Sequence, residues 1–170
     1  MEIILFRGRP GSGKTTLSTA LSKHINLPIL RKDDIYNIIE KNIADHSVRN
    51  KITFDTLYSI LKSNISSDCI FILDYPFQHS EDFAIIKKWC KDYSVSVKSI
   101  LVTCSNESMW VKRFEERAKN PEPNQLVTDY FIFEKMYGSM QILPEEDELL
   151  VDTIIPTSEN LPKITSFISS

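Results

Sequence analysis

Eight consecutive residues carry the first chemistry in this chain: Gly8-Arg9-Pro10-Gly11-Ser12-Gly13-Lys14-Thr15. Three of its four glycines fall inside this run, so the cluster is not a by-product of composition. In the pattern G-x-x-x-x-G-K-T, backbone N–H groups unobstructed by Cβ atoms close around a polyphosphate. The strand-like run Ile3-Ile4-Leu5-Phe6 precedes it, and a helix-like segment from Thr16 to His24 follows, with Leu17, Ala20 and Leu21 at helical spacing. The positive end of that helix faces the same anion as the loop. In this arrangement Lys14 reaches the β- and γ-phosphates and the Thr15 hydroxyl ligates Mg²⁺. Gly8, Pro10, Gly11, Ser12, Gly13 and Thr16 complete the expected nucleotide-binding set.

Asp74 ends the apolar run Ile70-Phe71-Ile72-Leu73. At the carboxyl end of a strand in an α/β sheet, such an acid holds a metal-bound water or orients the acceptor, in the manner of a Walker-B carboxylate. The plainer reading is an acid that caps a helix or sits in a loop. Tyr75 and Phe77 are expected at the mouth of the same cleft, touching substrate, with His79 nearby and given no catalytic role. Arg31-Lys32-Asp33-Asp34 opens a helix after the second strand. One acid is expected to cap that helix, and the other to accept the proton of an acceptor hydroxyl and aim it at the γ-phosphate. Spacing alone does not say which. Arg113 and Arg117 stand four residues apart and share a helix face. Their guanidinium forks suit the charge that spreads over a transferring phosphoryl group. The competing reading is a solvated helix in which Arg117 pairs with a glutamate.

Apolar strands must alternate with amphipathic helices to position these groups, which predicts a parallel sheet covered on both faces. Strands are expected at Glu2–Arg7, Pro28–Leu30, Cys69–Asp74, Ser96–Thr103 and Leu149–Asp152. Helices are expected at Lys14–His24, Asp34–Ile43, Ser47–Ser63, Ser80–Asp92, Glu107–Lys119, Asp129–Met140 and Ser158–Ile168, with Ser80 as an N-cap. The prolines of Asn120-Pro121-Glu122-Pro123-Asn124-Gln125 deny helix continuation, and this stretch reads as a mobile loop.

At 170 residues the chain is expected to form one domain, and its 42% apolar and 25% charged content is ordinary for a globular protein. A net charge of −3 gives no general attraction to nucleic acid or anionic membrane. No apolar run approaches a membrane span, and the chain opens on a strand rather than a basic leader. Cys69, Cys90 and Cys104 are odd in number without metal spacing, and read as buried thiols in a reducing cytoplasm.

The blocks GRPGSGKTTLSTAL, LRKDDIYNII, CIFILDYPF, MWVKRFEERA and ELLVDT, in this order, resemble the small P-loop kinases of the nucleoside/nucleotide-kinase type. Within them the chain is most similar to the branch with the kinase domain of polynucleotide kinase, gluconate kinases and chloramphenicol phosphotransferase. The resemblance covers essentially the whole chain. It implies a three-layer α/β/α P-loop NTPase fold with a five-stranded parallel sheet and a lid-like segment at about residues 113–128. It implies Asp33 as the acceptor-activating base, Asp74 as the acid of the third strand, and Arg113 and Arg117 as lid-side arginines, with Arg117 the one on the transferring phosphate. The branch usually carries an arginine three residues after the first acid. Here that position is Tyr36, which favours a neutral or aromatic acceptor.

The expected activity is therefore transfer of the γ-phosphoryl of ATP·Mg²⁺ to a hydroxyl of a small molecule, bound by Asp33, Asp34, Tyr36, Asp74, Tyr75 and Phe77. The expected protein is a cytoplasmic monomer or homodimer. Two alternatives stand beside it: a polynucleotide 5′-hydroxyl kinase, and a nucleotide-binding protein without catalysis. An end kinase calls for a basic track, and the candidates Arg7, Arg9, Arg31 and Lys32 are scattered in an acidic chain. A GTPase switch is excluded: no Gly follows an Asp at three residues, and Asn50-Lys51 runs into Ile52-Thr53.

Overall fold

In a computed structural model describing residues 1–170, the expected alternation resolves into five strands and seven helices. They run β1 (Glu2–Arg7), α1 (Lys14–Ile25), β2 (Ile29–Arg31), α2 (Lys32–Ile39), α3 (His46–Ser63), β3 (Ile70–Asp74), α4 (Ser80–Asp92), β4 (Ser96–Thr103), α5 (Glu107–Lys119), α6 (Tyr130–Tyr137), β5 (Leu149–Asp152) and α7 (Thr157–Ile168). All strand pairs are parallel, in the order β2-β3-β1-β4-β5. β1 is central, so its carboxyl end opens where the chain order reverses, the crevice in which α/β sheets bind ligands.

Successive β1 side chains enter opposite layers, and both are apolar because helices cover both faces. Ile3 and Leu5 pack with Leu73 under Leu57 and Leu61 of α3 and Phe83 and Ile86 of α4. Ile4 and Phe6 pack with Ile72 under Leu17 and Leu21 of α1 and Ile164 of α7. A third cluster joins Trp110 and Phe114 of α5 to Tyr130 and Phe133 of α6. No helix is long and apolar enough to cross a membrane.

Several boundaries differ from expectation for local reasons. Helix α2 starts at Lys32, and extended Arg31 is its N-cap without a side-chain cap bond. Neither Asp33 nor Asp34 caps it; both sit in its first turn, where the helix dipole favours acids. Asp129 does not begin α6 but caps it, accepting from Ile132 N at 2.8 Å. Gly138, at φ 75°, ends that helix three residues after Lys135. Ser80 is the first residue of α4, whose N-cap is His79. Cys90 and Cys104 are buried, but Cys69 is exposed, preceding β3 instead of lying in it.

Candidate functional site

The loop from Gly8 to Gly13 is held from outside, by its carbonyls. Trp110 Nε1 donates to Pro10 O at 2.8 Å. Arg113 Nη1 lies 3.0 Å from Gly11 O and 3.2 Å from Ser12 O. The Thr153 hydroxyl, one residue past β5, donates to Ser12 O at 2.6 Å. In a planar trans peptide the C=O and the following N–H point in opposite directions. Tying down three successive carbonyls therefore turns the N–H groups of Gly11 and Gly13 toward the concave side, where an anion is received. The fit is tight: a Cβ on Gly8, at φ 140°, would stand 2.2 Å from Val102 O, and one on Gly11 2.7 Å from Trp110 Nε1. Ser12 Oγ is buried inside the loop with no partner.

Lys14 Nζ folds back onto Gly8 O at 2.9 Å and Arg9 O at 3.1 Å. Burial lowers its pKa to about 8, although Asp74 and Asp33 pull upward. Asp74 ends β3 at 7% exposure, in register with Phe6 of β1 and Arg31 of β2. Burial raises the pKa of the half-buried Asp33, and Asp74 raises it further, while Lys14 and Lys32 oppose. Burial lowers the pKa of Arg117, against the pull of Asp33 and Glu122. Lys14, Asp33, Asp74 and Arg117 thus act on one another electrostatically, although they come from α1, α2, β3 and α5. Asp34, one residue along α2, is exposed.

The two arginines of α5 separate in role. Arg113 is committed to Gly11, Ser12 and Thr153, so it supports the loop and does not point a free fork at a transferring group. Arg117 carries none of these ties; its guanidinium stands 5.9 Å from the Phe114 ring. The aromatic acceptor residues are likewise displaced from expectation. Tyr36 is fully buried, its hydroxyl 2.5 Å from His46 Nδ1. Tyr75 and Phe77 are 0% and 1% exposed, packed around Phe54 at ring separations of 5.6 and 5.7 Å. Phe77 holds φ 29°, a strained turn directly after Asp74-Tyr75-Pro76. These side chains are packed in the interior and present no exposed face to an acceptor. Nor do the four basic residues form a track: Arg7 is buried in a two-pronged pair with Glu148, each contact 2.6 Å, and Arg31 donates to Thr19 Oγ1.

On the α5 side of the loop lies a cleft of about 520 Å³, lined by Gly13, Thr16, Arg113, Arg117, Thr153 and Pro156 among others. Its size and position beside the phosphate cradle suit the base and sugar of a nucleotide. Trp110 and Thr153 fall within the blocks MWVKRFEERA and ELLVDT, but the sequence assigns neither a role. Thr153 directly follows the last strand, at the carboxyl edge where ligands collect, and that position was its only signal. No group of three or more His, Cys, Asp or Glu side chains stands ready to hold a metal by itself. The exposed Thr15 and the nearby Asp74 instead suit a cation shared with phosphate oxygens and water, as Mg²⁺ is.

No curated protein sequence matches the chain. Solved structures do. A candidate kinase from Chloroflexus aurantiacus superposes with a TM-score of 0.74 at 20% identity, covering 98% of this chain and 97% of that one. Kti12 from Chaetomium thermophilum, solved in complex with ADP-AlF3, gives a TM-score of 0.71 at 15% identity, covering 99% and 100%. A gluconokinase from Sinorhizobium meliloti gives 0.66 at 15% identity, covering 99% and 91%. At such identities the likeness is one of fold, that of P-loop kinases. The profile of the AAA domain family matches residues 3–131, more than half of the sequence. The chain belongs to the AAA domain family.

Proposed function

We propose that this protein is an ATP-dependent phosphotransferase that moves the γ-phosphoryl group to a hydroxyl of a small-molecule acceptor. The observation that carries the reading is the convergence of Asp33 with Lys14, Asp74 and Arg117 beside a P-loop. A loop built only to hold nucleotide has no need of a second, half-buried carboxylate with a raised pKa. Such a group is suited to accept the proton of an attacking hydroxyl. Lys14 leaves its two carbonyls to meet the β- and γ-phosphates, and Arg117 brings an untied guanidinium to the charge that develops during transfer. Thr15 and Asp74 would hold Mg²⁺, whose chemistry there is neutralisation of phosphate charge. Residues at about 113–128 serve as a lid-like segment of a single domain, a reading supported by the 3.2 Å bond from Asn37 Nδ2 of α2 to Glu122 Oε2.

The test is acceptor-dependent ADP release across nucleosides, sugars, hydroxy acids, antibiotics and 5′-hydroxyl oligonucleotides. Release that no acceptor stimulates, and that Asp33→Asn leaves unchanged, overturns the reading. A second reading, a nucleotide-binding protein that transfers nothing, draws support from the burial of Tyr36, Tyr75 and Phe77, which leaves no aromatic acceptor surface. It predicts that outcome.

A further inference from the structure

Arg9 occupies the second position of the P-loop and is 9% exposed. Its Nη2 donates to Tyr137 O at 3.1 Å, while Nε and Nη1 are buried with no partner. Burial lowers its pKa, and no acidic neighbour opposes that shift. A guanidinium keeps its charge, and buried charges are ordinarily paired with an acid or fully hydrogen-bonded. Two donors of this fork are neither.

These donors belong to a residue that does not line the base cleft and is tied instead to α6. Tyr137 closes α6, and its ring lies 6.2 Å from that of His79. Gly8 N donates to Pro76 O at 3.3 Å, so the start of the loop is stitched to the segment that continues from Asp74. The base cleft is lined by Gly11, Gly13, Arg113 and Thr153, and Arg9 is not part of its lining. Beyond the Tyr137 ring, His79 is the N-cap of α4 and makes no side-chain cap bond, leaving N–H groups that favour an anion. The acids of its first turn, Glu81 and Asp82, are exposed, and Asp82 acts on Lys32.

We infer that Arg9 reads an anionic group, a carboxylate or a phosphate, carried by the molecule that accepts the phosphoryl group. The inference rests on the phosphotransferase reading and refines its acceptor class. It also reverses what Tyr36 suggested. An arginine is absent from α2, but the cation is supplied from the P-loop, so the acceptor is an acid and not a neutral molecule.

The experiment loads the full chain with AMPPNP and Mg²⁺, so that added anions cannot occupy the P-loop. Inorganic phosphate and acetate are then titrated separately against wild type, Arg9→Met and Arg9→Lys, following melting temperature and heat of binding. Wild type should bind at least one anion, Arg9→Met should bind it tenfold or more weakly, and Arg9→Lys should fall between. Phosphate alone, acetate alone, or both identify the group that is read. Arg9→Met should also raise the melting temperature of the free protein, because it removes an uncompensated buried charge. An unchanged anion response in Arg9→Met, or no response in wild type, overturns the inference. A lowered melting temperature with an unchanged response makes Arg9 a strut for the Tyr137 carbonyl. Failure of AMPPNP to bind would sink the donor reading instead, and the difference between wild type and Arg9→Met would still decide Arg9.

Discussion

Arg113 and Thr153 meet over the P-loop, with Nη1 2.9 Å from Oγ1, and both contact the Ser12 carbonyl. One comes from α5 and the other from the end of β5, forty residues apart in sequence. Together they fix which way the Ser12–Gly13 peptide faces. The loop's shape is therefore set by partners that the G-x-x-x-x-G-K-T pattern does not contain.

Arg113→Met should accordingly weaken ATP binding roughly tenfold or more, about 1.4 kcal/mol, with a smaller effect on kcat. Thr153→Val should act in the same direction. Calorimetric titration of AMPPNP reads this directly. A loss confined to kcat would return Arg113 to the transferring phosphate.

Arg117→Ala should show the opposite division. Without ties to the loop, it should cost about 1,000-fold in kcat while nucleotide affinity changes little. Steady-state kinetics at saturating ATP against equilibrium binding separates the two effects. Equal losses in both would make Arg117 a binding residue.

Asp33→Asn should lower kcat by about 100- to 10,000-fold and leave AMPPNP binding intact, whereas Asp34→Asn, at an exposed position, should change little. Because the Asp33 pKa is raised, wild-type activity should fall on the acid side at a pH above the ordinary carboxylate range. An acid limb at the usual carboxylate value, or Asp34→Asn as the more damaging change, would reassign the base.

Burial lowers the Lys14 pKa to about 8, and polyphosphate requires its ammonium form. Nucleotide affinity should therefore decline as pH rises above about 8, by up to tenfold per unit. Binding at pH 8.5 should take up protons, measurable by calorimetry in two buffers of different ionisation enthalpy. For folding the sign is the reverse. The unfolded chain holds this proton to higher pH than the folded one, so the group adds stability as pH rises from about 8 toward its ordinary value. Binding without proton uptake would mean that Lys14 is already charged.

Glu148→Ala should destabilise the fold by about 3–5 kcal/mol, since it strands Arg7, 3% exposed and packed 4.1 Å over the Phe83 ring, without its acid. Urea unfolding measures this. A loss below about 1 kcal/mol would show that water reaches Arg7.

The sheet was legible in the sequence almost to the residue at β1, β4 and β5, because each carries a short apolar run (residues 3–6, 100–102 and 149–151) bounded by polar residues. The P-loop was legible because its demands are local: glycines that admit otherwise strained backbone, and a lysine at a set distance. Boundaries at α2 and α6 were missed where caps and acids compete for neighbouring positions, as at Asp129. The roles of Arg113, Tyr36, Tyr75 and Phe77 were illegible for a different reason. An arginine on a helix or an aromatic after a strand has the same local signature whether it faces ligand or core. Only the third dimension shows that Arg113 is occupied by carbonyls and that the aromatics face inward.

Trp110 has an optical consequence. It is one of two tryptophans, and its indole N–H is bonded to Pro10 O in the loop itself. The other, Trp89 of α4, sits in a separate aromatic cluster with Tyr58 of α3 and Tyr93, the residue that follows α4. With Trp89 replaced by phenylalanine, the emission of a single fluorophore becomes a built-in gauge of whether the phosphate cradle is empty or full. Nucleotide arrival could then be timed in stopped flow without a label.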